Sequence, residues 1–149
     1  MVTPILIDTN ILVYACDAAE AERQERAIWI LQQVSLTRVG RLSAQVLAEF
    51  VNVTVKGKNP LLTHTEALLQ ATRLAQTYPV YDVTHSIVLE AARACRDFSL
   101  AYYDAQLWAC AKLNDVPLIF SEDFSDGQIL EGVRFVNPFA ETFELEKWL

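Results

Sequence analysis

The sequence predicts an α/β fold, a three-layer domain with a central, mostly parallel β-sheet flanked by helices. Three observations lead there. Pro4-Ile5-Leu6-Ile7 and Pro117-Leu118-Ile119-Phe120 are short continuous apolar runs, the pattern of strands buried on both faces. Segments of helical periodicity separate them. Strands alternating with helices in one chain point to a parallel sheet covered on both sides.

The first strand ends abruptly in Asp8-Thr9-Asn10. Helical periodicity follows in two pieces, residues 11–16 and about 20–36. Gly40-Arg41-Leu42-Ser43 reads as a short strand and turn, and Ser43 or Gln45 opens a helix running to about residue 55. Residues 56–60, Lys-Gly-Lys-Asn-Pro, are a turn by composition. Thr63-His64-Thr65-Glu66 has capping-box spacing and starts a helix that ends before Pro79. Residues 80–83 are a further strand candidate, Thr84 caps a helix to about residue 96, and another helix covers about 104–114. After the apolar run at 117–120 come Ser121-Glu122-Asp123 and an Asp126-Gly127 turn. Residues 133–136 read as a last, half-exposed strand ended by Asn137-Pro138. Residues 1–139 form the domain, and 140–149 are a tail that packs on it or on an oligomer face.

Composition bounds the function. The chain has 149 residues, 52% of them hydrophobic, enough for one domain with a core of its own. No run approaches the roughly 20 apolar residues that a membrane span needs. No signal peptide is visible, and Cys16, Cys95 and Cys110 read as buried thiols in a reducing compartment, so a cytoplasmic location is expected. Net charge is −7, from 19 acids against 12 bases. A protein that binds nucleic acid by phosphate neutralisation is normally basic. Cations held by a cluster of carboxylates would restore the missing local charge.

Ligands of open α/β sheets bind beyond the carboxyl ends of the strands. That rule singles out Asp8 and Ser121-Glu122-Asp123. Asp104 shares a helix face with Leu107, Trp108 and Ala111, a costly place for a carboxylate unless it caps, pairs or binds a metal. Glu49 lies mid-helix, bordering the apolar arc that contains Val46 and Val53. Each acid also has an ordinary reading as a cap, a boundary residue or a loop acid. Brought together they would repel one another, raise each other's pKa values, and favour a hard, oxygen-seeking cation, Mg²⁺ or Mn²⁺.

Other chemistries lack material. The two histidines, His64 and His85, have no ligand spacing and read as surface or boundary residues, so zinc is not expected. There is no G-x-S-x-G elbow, no P-loop and no G-x-G-x-x-G. A haloacid-dehalogenase-like phosphatase also ends an apolar strand in aspartate, but it needs a second aspartate where this chain has Asn10.

The chain resembles the PIN-domain ribonucleases, in particular the VapC-like toxins of toxin–antitoxin modules. The resemblance is carried by Ile7-Asp8-Thr9-Asn10, by residues 43–50 (Ser-Ala-Gln-Val-Leu-Ala-Glu-Phe), by Tyr103-Asp104-Ala105 and by residues 118–124, with Asp126-Gly127-Gln128 and Val136-Asn137-Pro138-Phe139 downstream. It implies an acidic quartet of Asp8, Glu49, Asp104 and Asp123, supported by Thr9, Asn10 and Ser121. Some members carry a further acid after the third, where this chain has Ala105-Gln106. Glu122 and Asp126 stand close enough in sequence to assist Asp123. The implied activity is Mg²⁺- or Mn²⁺-dependent endoribonucleolytic hydrolysis of RNA, with a VapB-like antitoxin as inhibitor and a homodimer as the assembly. Arg38, Arg41, Lys56 and Lys58 are candidate RNA contacts, as are Arg23 and Arg26, although Glu22 and Arg26 have the spacing of a surface ion pair. The rival within the same fold is a catalytically silent PIN-like interaction module.

Overall fold

The computed structural model describes residues 2–149. Its core is a six-stranded sheet built from β1 (Ile5–Ile7), β2 (Gly40–Ser43), β3 (Val80–Tyr81), β4 (Leu118–Phe120), β5 (Ile129–Leu130) and β6 (Val133–Val136), in the order β3-β2-β1-β4-β6-β5. All neighbouring strands run parallel except β5, which is antiparallel to β6. The helices are α1 (Thr9–Tyr14), α2 (Ala21–Leu36), α3 (Ala44–Thr54), α4 (His64–Thr77), α5 (His85–Phe98) and α6 (Tyr102–Leu113). The expected α/β architecture is therefore the observed one.

Every residue of β1 and β4 is buried, which is why both read as unbroken apolar runs. Ser43 caps α3, accepting from the Val46 N–H, and Thr63 with Glu66 closes a full capping box on α4. Thr84 likewise accepts from the Ile87 N–H to start α5. Gly40 is demanded by packing. A Cβ there would lie 2.8 Å from the Tyr78 ring and 3.1 Å from Val34, both pressed over the start of β2.

Three sequence expectations are corrected and one strand is added. Helix α6 starts at Tyr102 with Ala101 in the cap position and no side-chain cap, so Asp104 lies inside the first turn and does not close it. Strand β6 is covered rather than half-exposed: Val133, Phe135 and Val136 are buried, and only Arg134 is partly exposed. Strand β5, too short for a sequence pattern, pairs with it across a tight turn. Of the cysteines only Cys110 is buried, while Cys16 and Cys95 are half-exposed. Beyond β6, Phe143 meets the Phe120 ring edge-on, and Leu145, in a 3₁₀ turn over Leu145–Lys147, is buried.

Among the described residues no helix is long and apolar enough to cross a membrane.

Candidate active site

The chain turns outward from β1 to β2 on one side and from β1 to β4 on the other, so the sheet's switch point lies between β1 and β4. A crevice opens at the carboxyl ends of strands at such a point. Asp8 leaves β1 there and Ser121 leaves β4. The two strands are knitted up to that edge, the Asp8 N–H donating to the Phe120 carbonyl at 3.0 Å.

Asp8 is buried. It caps α1, with one carboxylate oxygen accepting from the Thr9 N–H at 2.7 Å and the other from the Ser121 hydroxyl at 2.6 Å. The same Ser121 oxygen accepts from the Asp123 N–H at 3.1 Å, which ties the turn carrying the fourth acid to the first. Glu49 projects from α3 toward α1. Its Oε2 accepts from the Thr9 hydroxyl at 3.0 Å and its Oε1 from the Gln45 amide at 2.7 Å. Thr9 therefore contacts two of the acids at once, through backbone and side chain.

Electrostatics join the four carboxylates. Burial, with smaller additions from the charges of Asp123 and Glu49, pushes Asp8 up to about 7, despite the lowering hydrogen bonds from Ser121 and Thr9. Asp104 is raised by burial, then by Asp123 and Glu49. Asp123 is raised by burial, then by Glu122 and, more weakly, by Glu49, with Asn10 beside it working in the opposite direction. The Asn10 amide is buried at both polar atoms and makes no hydrogen bond of ordinary geometry. Such an unpaired polar group is costly in an interior and points toward a ligand or water that it would meet.

The structure thus brings Asp8, Glu49, Asp104, Asp123, Thr9, Asn10 and Ser121 to one edge. It separates others from it. Glu122 turns to the Tyr14 hydroxyl and to Arg23, whose guanidinium lies 3.4 Å away and over the rings of Tyr14 and Phe139. Asp126 accepts from the Asn137 N–H at 2.9 Å and holds the β6 exit. Arg38 lies in a left-handed turn (φ 60°) just before β2, and the register pairs Ile5 with Gly40. That places Arg38 at the amino edge of the sheet, opposite Asp8. Arg41 donates to the carbonyls of Arg38 and Gly40. Lys56 and Lys58 are exposed beyond the far end of α3. Arg26 forms no pair with Glu22; it donates to the carbonyls of Pro138 and Ala140.

Sequence reasoning did not find the part played by Gln45 and Gln106. Gln106 is a buried polar residue in α6, its amide donating to Gln45 at 2.8 Å. A glutamine within a helix carries no local sign of that role.

For a divalent cation the donor chemistry fits: Asp8, Asp104 and Asp123 are raised by burial and neighbouring acids, and all four candidate ligands are carboxylate oxygens. As placed, no three acidic, histidine or cysteine side chains of the described residues enclose a common point. The carboxylates of Asp8 and Glu49 are instead held by hydroxyl, amide and backbone donors.

An all-oxygen acid site at the switch point of a small parallel sheet defines a class, and sequence comparison gives its family. Residues 5–125 match the PIN domain family model, and the chain belongs to that family. No curated protein sequence matches it. Among solved structures, the chain is similar to the Mycobacterium tuberculosis VapC20 toxin, which cleaves the sarcin-ricin loop. The TM-score is 0.65 and identity 22%, over 87% of this chain and 98% of that one. A toxin–antitoxin complex from Klebsiella pneumoniae aligns with TM-score 0.65 and 21% identity over 91% and 98% of the two chains. DNA-bound VapBC from Salmonella typhimurium gives 0.64 and 16% over 91% and 97%.

Proposed function

We propose that the chain is a divalent-metal-dependent endoribonuclease, the VapC-like toxin of a toxin–antitoxin pair. The observation that carries this is that Asp8, Asp104 and Asp123 are all raised by burial and by neighbouring acids that include Glu49, in a chain of the PIN family. Asp8 and Asp104 would hold Mg²⁺ or Mn²⁺, with Glu49 and Asp123 acting directly or through water. The cation supplies positive charge at the scissile phosphate and acidifies water. The residues supply the rest. Ser121 and Thr9 fix the carboxylates of Asp8 and Glu49. In the reaction water adds to phosphorus and the bond to the 3′ oxygen breaks, leaving a 5′-phosphate and a 3′-hydroxyl.

RNA is the substrate in this reading. Arg23, next to Glu122 and so to the Asp123 turn, is the basic residue best placed to meet it; Arg41, Lys56 and Lys58 remain candidate contacts. Two of the similar structures are toxin–antitoxin assemblies, which supports an antitoxin partner for this chain. A homodimer and a cytoplasmic location complete the proposal. The absence of three converging acids in the described residues favours one second reading, a PIN domain that binds without cleaving.

Cleavage of total RNA by the full chain, freed of co-purifying protein, separates them. Discrete fragments with Mg²⁺ or Mn²⁺, lost in EDTA and in Asp8→Asn, are expected. No cleavage together with no metal binding would leave the silent module.

A further inference from the structure

We infer that Gln45 and Gln106 are positioning residues that lock Glu49 to the helix carrying Asp104, through a hydrogen-bond relay of fixed polarity ending at Tyr102. The inference rests on the nuclease reading above and extends it to residues that never touch substrate. Gln45 Nε2 donates to Glu49 Oε1 at 2.7 Å and to the Tyr103 carbonyl at 2.9 Å. Gln106 Nε2 donates to Gln45 Oε1 at 2.8 Å, and the Tyr102 hydroxyl donates to Gln106 Oε1 at 2.9 Å.

The polarity follows from the ends. A carboxylate and a backbone carbonyl can only accept, so the Gln45 NH₂ must face them. Its carbonyl oxygen then needs a donor, which fixes the Gln106 NH₂ on it. The Gln106 oxygen in turn needs a donor, and the Tyr102 hydroxyl provides it. Every amide in the chain is used at both ends. Because Tyr103 and Asp104 are adjacent in α6, the same Gln45 amide that holds Glu49 also grips the backbone next to Asp104. Gln106 itself is buried, which limits the water that could replace its own bonds.

The substitution Gln106→Glu reverses the logic. The new carboxylate cannot donate to Gln45, so the Gln45 amide must turn its N–H toward that carboxylate and its oxygen toward Glu49. Gln106→Met fills the space and leaves the Gln45–Glu49 link in place. The expected order of damage is therefore Gln106→Glu well beyond Gln106→Met, with Tyr102→Phe mild.

The test measures Mn²⁺ affinity, and kcat and KM for RNA, on these three full-length variants, each checked for folding by circular dichroism. Residues that orient metal ligands typically contribute about 10–100-fold in metal affinity or activity. We expect a loss in that range in Mn²⁺ affinity and kcat for Gln106→Glu, with KM unchanged. Wild-type or tighter Mn²⁺ binding by Gln106→Glu would overturn the inference, since the new acid would then act as a ligand. Damage from Gln106→Glu no greater than that from Tyr102→Phe would also overturn it, since reversing the polarity would then leave Glu49 undisturbed. Should the wild type neither bind Mn²⁺ nor cleave RNA, the nuclease reading fails separately. The relay is then judged from the Gln45 side-chain amide resonances. Displacement by Gln106→Glu but not by Gln106→Met supports it, and their indifference to both overturns it.

Discussion

The Ser121 hydroxyl donates to the Asp8 carboxylate at 2.6 Å, joining residues 113 positions apart across the switch point of the sheet. The bond also fixes the far side of the site, because the same oxygen accepts from the Asp123 N–H. One small side chain thus sets the spacing of two of the four acids.

Ser121→Ala removes both links. A buried carboxylate loses its strongest lowering partner and a backbone N–H loses its acceptor, so Asp8 rises further. Leaving such groups unpaired costs about 1–3 kcal/mol. Chemical denaturation should register that loss, and RNA cleavage should fall about 10–100-fold as the carboxylates lose their orientation.

Metal-free protein should lose stability as pH rises from about 4 to about 7. Asp8 is raised from 3.8 to about 7, so between those values the folded state holds a proton that the unfolded chain releases. Stability falls with pH wherever the folded state binds more protons. A shift of that size corresponds to at most about 4 kcal/mol, at roughly 1.4 kcal/mol per unit. Asp104 and Asp123, also raised, add in the same direction. Glu66, Glu90, Asp97 and Glu131 are lowered by their hydrogen-bond partners and oppose this slope only near and below their ordinary values of 4.5 and 3.8, at the acid end of the window. Urea midpoints measured at pH 4.5 and 7.5 test the slope; a rising midpoint contradicts it.

Asp8→Asn should flatten that slope and make the metal-free protein more stable than wild type at pH 7.5, by about 1–3 kcal/mol, since asparagine caps a helix about as well and only the bond to Ser121 is altered. Cleavage should be abolished in the same variant. Gain of stability with loss of function is the signature of a charge kept for chemistry; equal loss of both would make Asp8 a structural cap.

Mn²⁺ should raise the thermal midpoint of the wild type in proportion to the logarithm of its concentration, and its binding at pH 6.5 should release protons, chiefly from Asp8. Titration calorimetry in two buffers of different ionisation enthalpy counts those protons. Binding without release would mean that Asp8 is already ionised.

Substrate affinity should respond to Arg23→Ala and be indifferent to Arg38→Ala. Arg38 lies at the amino edge of the sheet, while Arg23 pairs with the residue preceding Asp123. The salt dependence of RNA binding should shrink only in the Arg23 variant. The opposite pattern would place the RNA path on the other side of the molecule.

Much of the fold could be read directly because its signals are local. Residues 5–7 and 118–120 must be apolar throughout to lie between helices, and Ser43, Thr63 and Thr84 announce their helices by capping chemistry. Asp8 and Ser121 stood out for the same reason, as polar residues placed abruptly at strand ends. Strand β5 stayed hidden because two residues carry no period, and β6 was misjudged because its cover comes from elsewhere in the chain. The partners of Glu122, Arg26 and Asp126 were hidden too. Each is decided by which surface residue happens to be opposite, over separations of 99, 112 and 11 positions. Gln106 shows the limit most clearly. A glutamine in a helix suggests a solvent-facing residue, and only the fold shows its amide buried and bonded to Gln45 of α3.

The most direct measurement is Mn²⁺ affinity set beside RNA cleavage for Asp8→Asn, Glu49→Gln, Asp104→Asn and Asp123→Asn. If the four acids form one metal-dependent nuclease site, every variant keeps its fold, binds Mn²⁺ at least about 10-fold more weakly, and loses cleavage in step. Variants that bind and cleave like the wild type, or a wild type that binds no metal at all, would contradict it.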